Sequence, residues 1–201
     1  MLETILGTFK ELAIATAAVV TAVAAFKGLR TWQRETEWRE NREVARNLVR
    51  NTFKVRDSLN HVRNPLIRPY EFPKDWDPRE NHTPEVNSQN TAYVYENRLK
   101  VLRDAMQELE VAVLEAEVFW GPEVESRMRG VRSCRSRLIV SLEQHISNLR
   151  SGHMELRDNH EQQQKVHNDI YRSPGDQDDL SVSIQDALNS VLEVAQPHLK
   201  R

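Results

Sequence analysis

An all-α fold follows from three features of this 201-residue sequence. Apolar side chains recur at alternating steps of three and four over long segments, the pattern of helices that bury one face. Only 6 Gly and 8 Pro are present, and five of the prolines fall between positions 65 and 84, so long stretches contain no turn residue. Aromatic residues make up 6%, fewer than a large sandwich or barrel needs. The predicted architecture is an N-terminal single membrane-spanning (or oligomer-core) helix, followed by an antiparallel helical bundle or coiled coil with one Pro-rich loop.

Residues 1–28 form the predicted hydrophobic anchor. Leu12 to Phe26 reads LAIATAAVVTAVAAF, with no charge and only Thr16 and Thr21 polar. As a helix it is about 22 Å long, short against a hydrocarbon core of about 30 Å. Lys10 and Lys27 can snorkel outward, Ile5, Leu6 and Phe9 extend the apolar character, and Trp32 and Trp38 follow as interface anchors do. The alternatives are a helix buried in an oligomer core and a cleaved signal peptide ending near Ala22-Val23-Ala24. Glu3 and Glu11 against Lys10 alone argue against the latter. Lys27, Arg30, Arg34 and Arg39 after the span, against one Lys before it, place the C-terminus in the cytoplasm of a single-pass inner (cytoplasmic) membrane protein. Ala13, Ala17, Thr21 and Ala25 recur every four residues, a stripe that lets two membrane helices approach closely.

Residues 29–63 predict an Arg/Glu-rich juxtamembrane helix with ten Lys/Arg against five Asp/Glu from position 27 onward. Ala45, Leu48, Thr52, Val55, Leu59, Val62 and Leu66 give a seam with one polar member. Arg42, Arg46, Arg50 and Lys54 line another face. Like charges at this spacing repel by about 0.2–0.5 kcal/mol per pair unless something neutralises them. Anionic head groups or the acidic face of residues 104–117 are the favoured partners, ahead of nucleic acid. Asn64-Pro65 ends the helix.

Residues 64–90 form the predicted Pro-rich loop. Leu66, Ile67, Tyr70, Phe72 and Trp76 supply packing groups, so the segment is expected to lie along the helices. Residues 91–172 predict a helical hairpin or bundle. Its cleanest seam runs Tyr95, Leu99, Leu102, Met106, Leu109, Val113, Ala116 and Trp120. Gly121-Pro122 closes one helix and opens the next, whose apolar face is Val124, Met128, Val131, Leu138, Leu142 and Leu149, interrupted by Arg135 and His145. Residues 153–172 read as a weak, exposed helix. Residues 173–201 predict a C-terminal amphipathic helix on Leu180, Ile184, Ala187, Leu188, Val191 and Leu192, limited by Pro197.

Candidate chemistry is sparse. No phosphate loop, dinucleotide fingerprint, nucleophile elbow or Glu-x-x-His pair is present. The glutamates at 108, 110, 115 and 117 read as a solvated face. A lone Cys134 forms no internal disulfide and no cysteine zinc cage, and with no partner base in sight it reads as structural. His153, His160 and His167 are seven apart, about 10 Å of helix, too far for two of them to share one ion.

The layout is similar to that of many bacterial membrane proteins with a short N-terminal anchor and a cytoplasmic helical body, a likeness of architecture over the first sixty residues. The expected function is a membrane-anchored, non-enzymatic helical scaffold or interaction protein with a cytoplasmic body, able to oligomerise. The alternative is a soluble self-assembling helical protein with its N-terminal helix in an oligomer core. The expected partners are the lipid bilayer and either a second copy or a partner helical protein. No nucleic acid, small-molecule substrate, metal or cofactor is expected.

Overall fold

The computed structural model describes residues 2–80, 82–157, 159–173 and 178–200, with the backbone alone given for residues 2–20. Among the described residues the chain is all-helical, with five α-helices and no strand. They are α1 (Leu2–Val62), α2 (Pro84–Trp120), α3 (Glu123–Arg150), α4 (His160–Ile170) and α5 (Asp179–Leu199). The chain divides into two compact units, Met1–Glu43 and Val44–Arg201.

The predicted anchor and juxtamembrane segments are one continuous helix. A single Gly28 costs about 1 kcal/mol in a helix interior and does not by itself break one. Helix α2 starts at Pro84, seven residues before the predicted 91. The Thr83 hydroxyl accepts a hydrogen bond from the Val86 N–H, Pro84 occupies the first turn where its missing N–H is harmless, and Glu85 adds negative charge there. At the other end Gly121 takes φ 87° and donates to the Glu117 carbonyl at 2.8 Å, a conformation that favours glycine.

The predicted weak helix over 153–172 shortens to α4. Gly152 (φ 65°) and His153 (φ 69°) turn the backbone left-handed before it. The Asn159 side chain then caps α4 by accepting from the Gln162 N–H. Helix α5 does not stop at Pro197 but continues to Leu199. The last turn is held by packing: His198 stacks on Trp120 with ring centroids 4.1 Å apart, and Leu199 rests on the core.

In the second unit each helix gives one face to a common core. From α1 come Ala45, Leu48, Val55, Leu59 and Val62, all buried. Thr52 is buried with them, and its hydroxyl donates to the Leu48 carbonyl at 2.8 Å, which explains how a polar residue sits in the seam. Leu66 lies beyond the helix end and is 61% exposed. Helix α3 buries Val124, Met128, Val131, Cys134, Leu138 and Leu142. Its stripe therefore passes through Cys134 and bypasses Arg135. Val166 and Ile170 of α4 and Leu180, Ile184, Leu188 and Val191 of α5 complete the core. Gly130 lets α3 approach α5 closely, since a Cβ there would lie 3.0 Å from the Ala187 Cβ.

Candidate functional site

The heptad positions of α2 face inward. Leu102, Met106, Leu109 and Val113 are buried in the chain's own core, and Leu99 packs against it half-buried. This seam meets its partner helices within the chain. Of the small-residue stripe, Ala13 and Ala17 lie outside the described side chains, while Thr21 and Ala25 are exposed.

The four cations of the basic stripe have different surroundings. The Arg42 guanidinium sits 4.9 Å over the Trp38 ring. Arg46 is exposed. Arg50 donates to the Asn47 side-chain carbonyl at 2.7 Å, and Lys54 forms an ion pair with Glu108 of α2. Asn47 in turn donates to the Glu115 carboxylate at 3.0 Å. Lys54 meeting Glu108 and Asn47 meeting Glu115 fix an antiparallel register, seven residues apart on both helices. A groove of about 470 Å³ runs along this junction, lined by Asn47, Arg50, Asn51, Asp104, Gln107 and Val111 among others. Asn51, one of the lining residues, is buried and donates its amide N–H to the Asn47 side-chain carbonyl at 3.1 Å. Beside the groove α2 turns Val111 (60% exposed), Leu114 (59%) and Val118 (83%) outward.

Two buried arginines tie the remaining segments down. Arg98 of α2 holds the start of the Pro-rich loop. Its guanidinium donates to the Asn64 carbonyl at 2.7 Å, the Leu66 carbonyl at 2.9 Å and the Glu71 carboxylate at 2.6 and 3.0 Å. The Arg98 hydrogen bond also lowers the Glu71 carboxyl below its usual range. The loop thus caps the end of α1 through a side chain of α2. Farther along it, Phe72 and Trp76 stack with centroids 4.0 Å apart.

Arg63, at the end of α1, is the second anchor. It donates to the Asp169 carbonyl (2.9 Å), the Asn168 carbonyl (2.8 Å), the Ser181 hydroxyl (2.7 Å) and the Asp178 carboxylate (2.7 Å). One guanidinium therefore joins the C-terminus of α4, whose last carbonyls it satisfies, to the N-cap of α5. Burial works to raise the Asp178 carboxyl, but hydrogen bonds from the Ser181 hydroxyl and N–H and from Arg63 outweigh it and hold it down at about 2. Next to this anchor the Asp169 carboxylate takes both prongs of Arg137 (2.6 and 3.0 Å) and the Ser141 hydroxyl at 2.8 Å. A cavity of about 450 Å³ opens beside Arg63, bounded by Arg56, Asp57, Arg172 and Asp186.

Burial pushes the Cys134 thiol up, the opposite of an activated nucleophile. His145 is pushed down by burial and by the neighbouring His153 and His167, and it meets the rings of Tyr95 and Tyr171 edge-on. Among the described residues no three His, Cys, Asp or Glu side chains come together as metal ligands would. Sequence reasoning missed Arg63 and Arg98. The one signal was position: Arg98 lies three residues from Tyr95, and Arg63 four from Leu59, on buried faces.

The structure thus defines the chain as an all-helical bundle preceded by a helical extension of α1. No protein-family model matches the sequence, and no curated protein or solved structure matches it either.

Proposed function

We propose that the chain is a membrane-anchored, non-enzymatic helical scaffold or interaction protein, single-pass in the inner (cytoplasmic) membrane. The bundle is its cytoplasmic body, and it acts by self-association or by binding a partner helical protein. The observation that carries the anchor is the surface of α1. Val23, Phe26, Leu29 and Trp32 are 51–63% exposed. Successive steps of three residues carry these side chains about half-way round the helix. A single partner helix covers a narrower stripe than that, whereas a lipid phase covers the whole circumference.

Among the described residues no helix is long and apolar enough to cross a membrane. Nine of the fifteen uncharged residues, Leu12–Val20, have side chains outside those residues. The anchor reading therefore rests on the sequence of 12–26 together with the exposed apolar groups that follow it. Lys27, Arg30, Arg34 and Arg39 behind the span give the orientation.

Carbonate extraction of membranes tests the anchor. The full chain should stay in the pellet, and a reporter fused after Arg201 should be active only in the cytoplasm. Release by carbonate as a large soluble assembly would instead support the oligomer-core reading of the N-terminal helix.

A further inference from the structure

The charges of α1 are ordered along its axis where the apolar segment ends. From Lys27 to Arg34 the sequence carries three cations and no acid, and the acids Glu35, Glu37, Glu40 and Glu43 all come later. Lys27, Arg30 and Arg34 lie within about 60° of the helix circumference and about 10 Å of its length. All three are exposed, and among the described residues none has an ion partner. Like charges three and four residues apart disfavour a helix unless something neutralises them.

Their position identifies what does so. Phe26 closes the uncharged segment 12–26 and is 62% exposed, as Trp32 is at 63%. The Arg30 guanidinium lies 5.5 Å over the Phe26 ring, so this side chain folds back toward the apolar segment. With that segment in a bilayer, Phe26 stands at the edge of the hydrocarbon. The head-group layer adds about 5–7 Å beyond it. The negative potential of an anionic leaflet reaches a further Debye length, about 8 Å. Arg34 is about 12 Å from Phe26 along the axis, so all three cations fall inside that depth. Helical side chains also lean toward the N-terminus, which here is toward the membrane. The acids begin only at the outer limit of the layer, where repulsion from an anionic surface is screened. An electrically neutral surface gives no reason to separate cations from acids in this way.

We propose that Lys27, Arg30 and Arg34 bind the head groups of anionic phospholipids in the leaflet where α1 leaves the membrane. The guanidinium groups of Arg30 and Arg34 donate to phosphate oxygens, and Lys27 adds a point charge. Arg39 takes no part: it is about 20 Å from Phe26 and stands four residues from both Glu35 and Glu43. The proposal rests on the anchor reading and adds a lipid partner to it. The apolar segment attaches the chain, and the three cations select the lipid.

The test reconstitutes the full chain in phosphatidylcholine vesicles containing a minor fraction of phosphatidylglycerol, with bromine on the acyl chains of one lipid or the other. Bromine quenches nearby tryptophan, and the difference between wild type and Trp32→Phe isolates the Trp32 signal. Per molecule, the anionic lipid should quench Trp32 about 5-fold more effectively than phosphatidylcholine, the preference that one cation at the surface supplies. Lys27→Gln with Arg30→Gln and Arg34→Gln should abolish the preference, and Gln33→Glu alone should reduce it. Salt at about 1 M should weaken it in the wild type, and Arg39→Gln should keep it. Equal quenching by the two lipids in a carbonate-resistant chain overturns the proposal and leaves the anchor standing, and so does a triple variant that keeps the preference. Loss of the preference in Arg39→Gln as complete as in the triple variant overturns it too, because diffuse charge would then select the lipid. A Trp32 quenched by neither lipid, in a chain released by carbonate, ends both readings. Circular dichroism checks that the triple variant is folded, and the single Gln33→Glu exchange decides the matter if it is not.

Discussion

Residues 44–62 and residues 21–43 belong to one helix and are stabilised in different ways. From Val44 to Val62 the apolar residues fall on a stripe and are buried against other helices. From Thr21 to Glu35 every described side chain is exposed, and the apolar ones wind round the axis. Isolated helices in water are marginal, and most helical stability in proteins comes from packing an amphipathic face. Residues 44–62 have that packing. Residues 21–43 have only local bonds such as the Thr31 and Thr36 hydroxyls donating to the carbonyls four residues back. A helix can therefore be regular over its whole length while only part of it is stabilised by the fold.

Removing the anchor that closes the packed unit should break this contrast most strongly. Arg63→Met leaves Asp178 buried without its cation and frees the carbonyls of Asn168 and Asp169. Breaking a buried pair from one side costs about 3–5 kcal/mol, to be read from urea unfolding. Adding Asp178→Asn should recover part of the loss. A loss below about 1 kcal/mol would mean that α4 and α5 hold themselves in place without α1.

Leu109→Ala tests the same unit through apolar packing. Leu109 is fully buried, so the expected loss is about 2–5 kcal/mol, covering both transfer and the cavity left behind. A loss below about 1 kcal/mol would show the seam to be loosely packed.

Acid titration should have a smaller effect. The Asp178 carboxyl is held at about 2 in the folded chain against an ordinary 3.8. Its contribution is complete above the ordinary value and is lost as pH falls toward the folded one. Unfolding free energy should therefore drop between about pH 4 and pH 2, and Asp178→Asn should flatten that slope. An unchanged slope in the variant would assign the acid transition to other carboxylates.

How much of this was legible in the sequence depended on what each residue packs against. The seams from Ala45 to Val62 and from Tyr95 to Ala116 were readable because apolar period reports a buried face directly. The start of α2 was missed although Thr83-Pro84-Glu85 is a cap signature, since a cluster of prolines reads as loop until one of them is recognised in a first turn. Arg63 and Arg98 were not legible as anchors. A buried arginine looks the same in a sequence as a solvated one, and several of the acceptors of Arg63 and Arg98 are backbone carbonyls, which composition does not record. The outward strip of α2 escaped notice because Val111, Leu114 and Val118 share a helix with a stronger apolar stripe. The basic stripe was visible as a pattern, but which acid meets Lys54 depended on the register between α1 and α2.

The smallest expected effect lies in the exposed segment. Phe26 and Trp32 are 62% and 63% exposed, so Phe26→Ser and Trp32→Ser should change the unfolding free energy of the bundle by no more than about 0.5 kcal/mol, as exposed substitutions usually do. Leu48→Ala, in the same helix but fully buried, should cost about 2–5 kcal/mol. The exposed pair should instead act on location: each exchange trades an apolar group for a hydroxyl, which lipid does not satisfy, so carbonate-resistant pelleting should fall while the urea midpoint stays in place. A double variant that pellets like wild type would confine anchoring to residues before Val23. One that also lowers the urea midpoint would show that the two segments unfold together, and the contrast drawn from exposure would then fail for stability while remaining true of the surface.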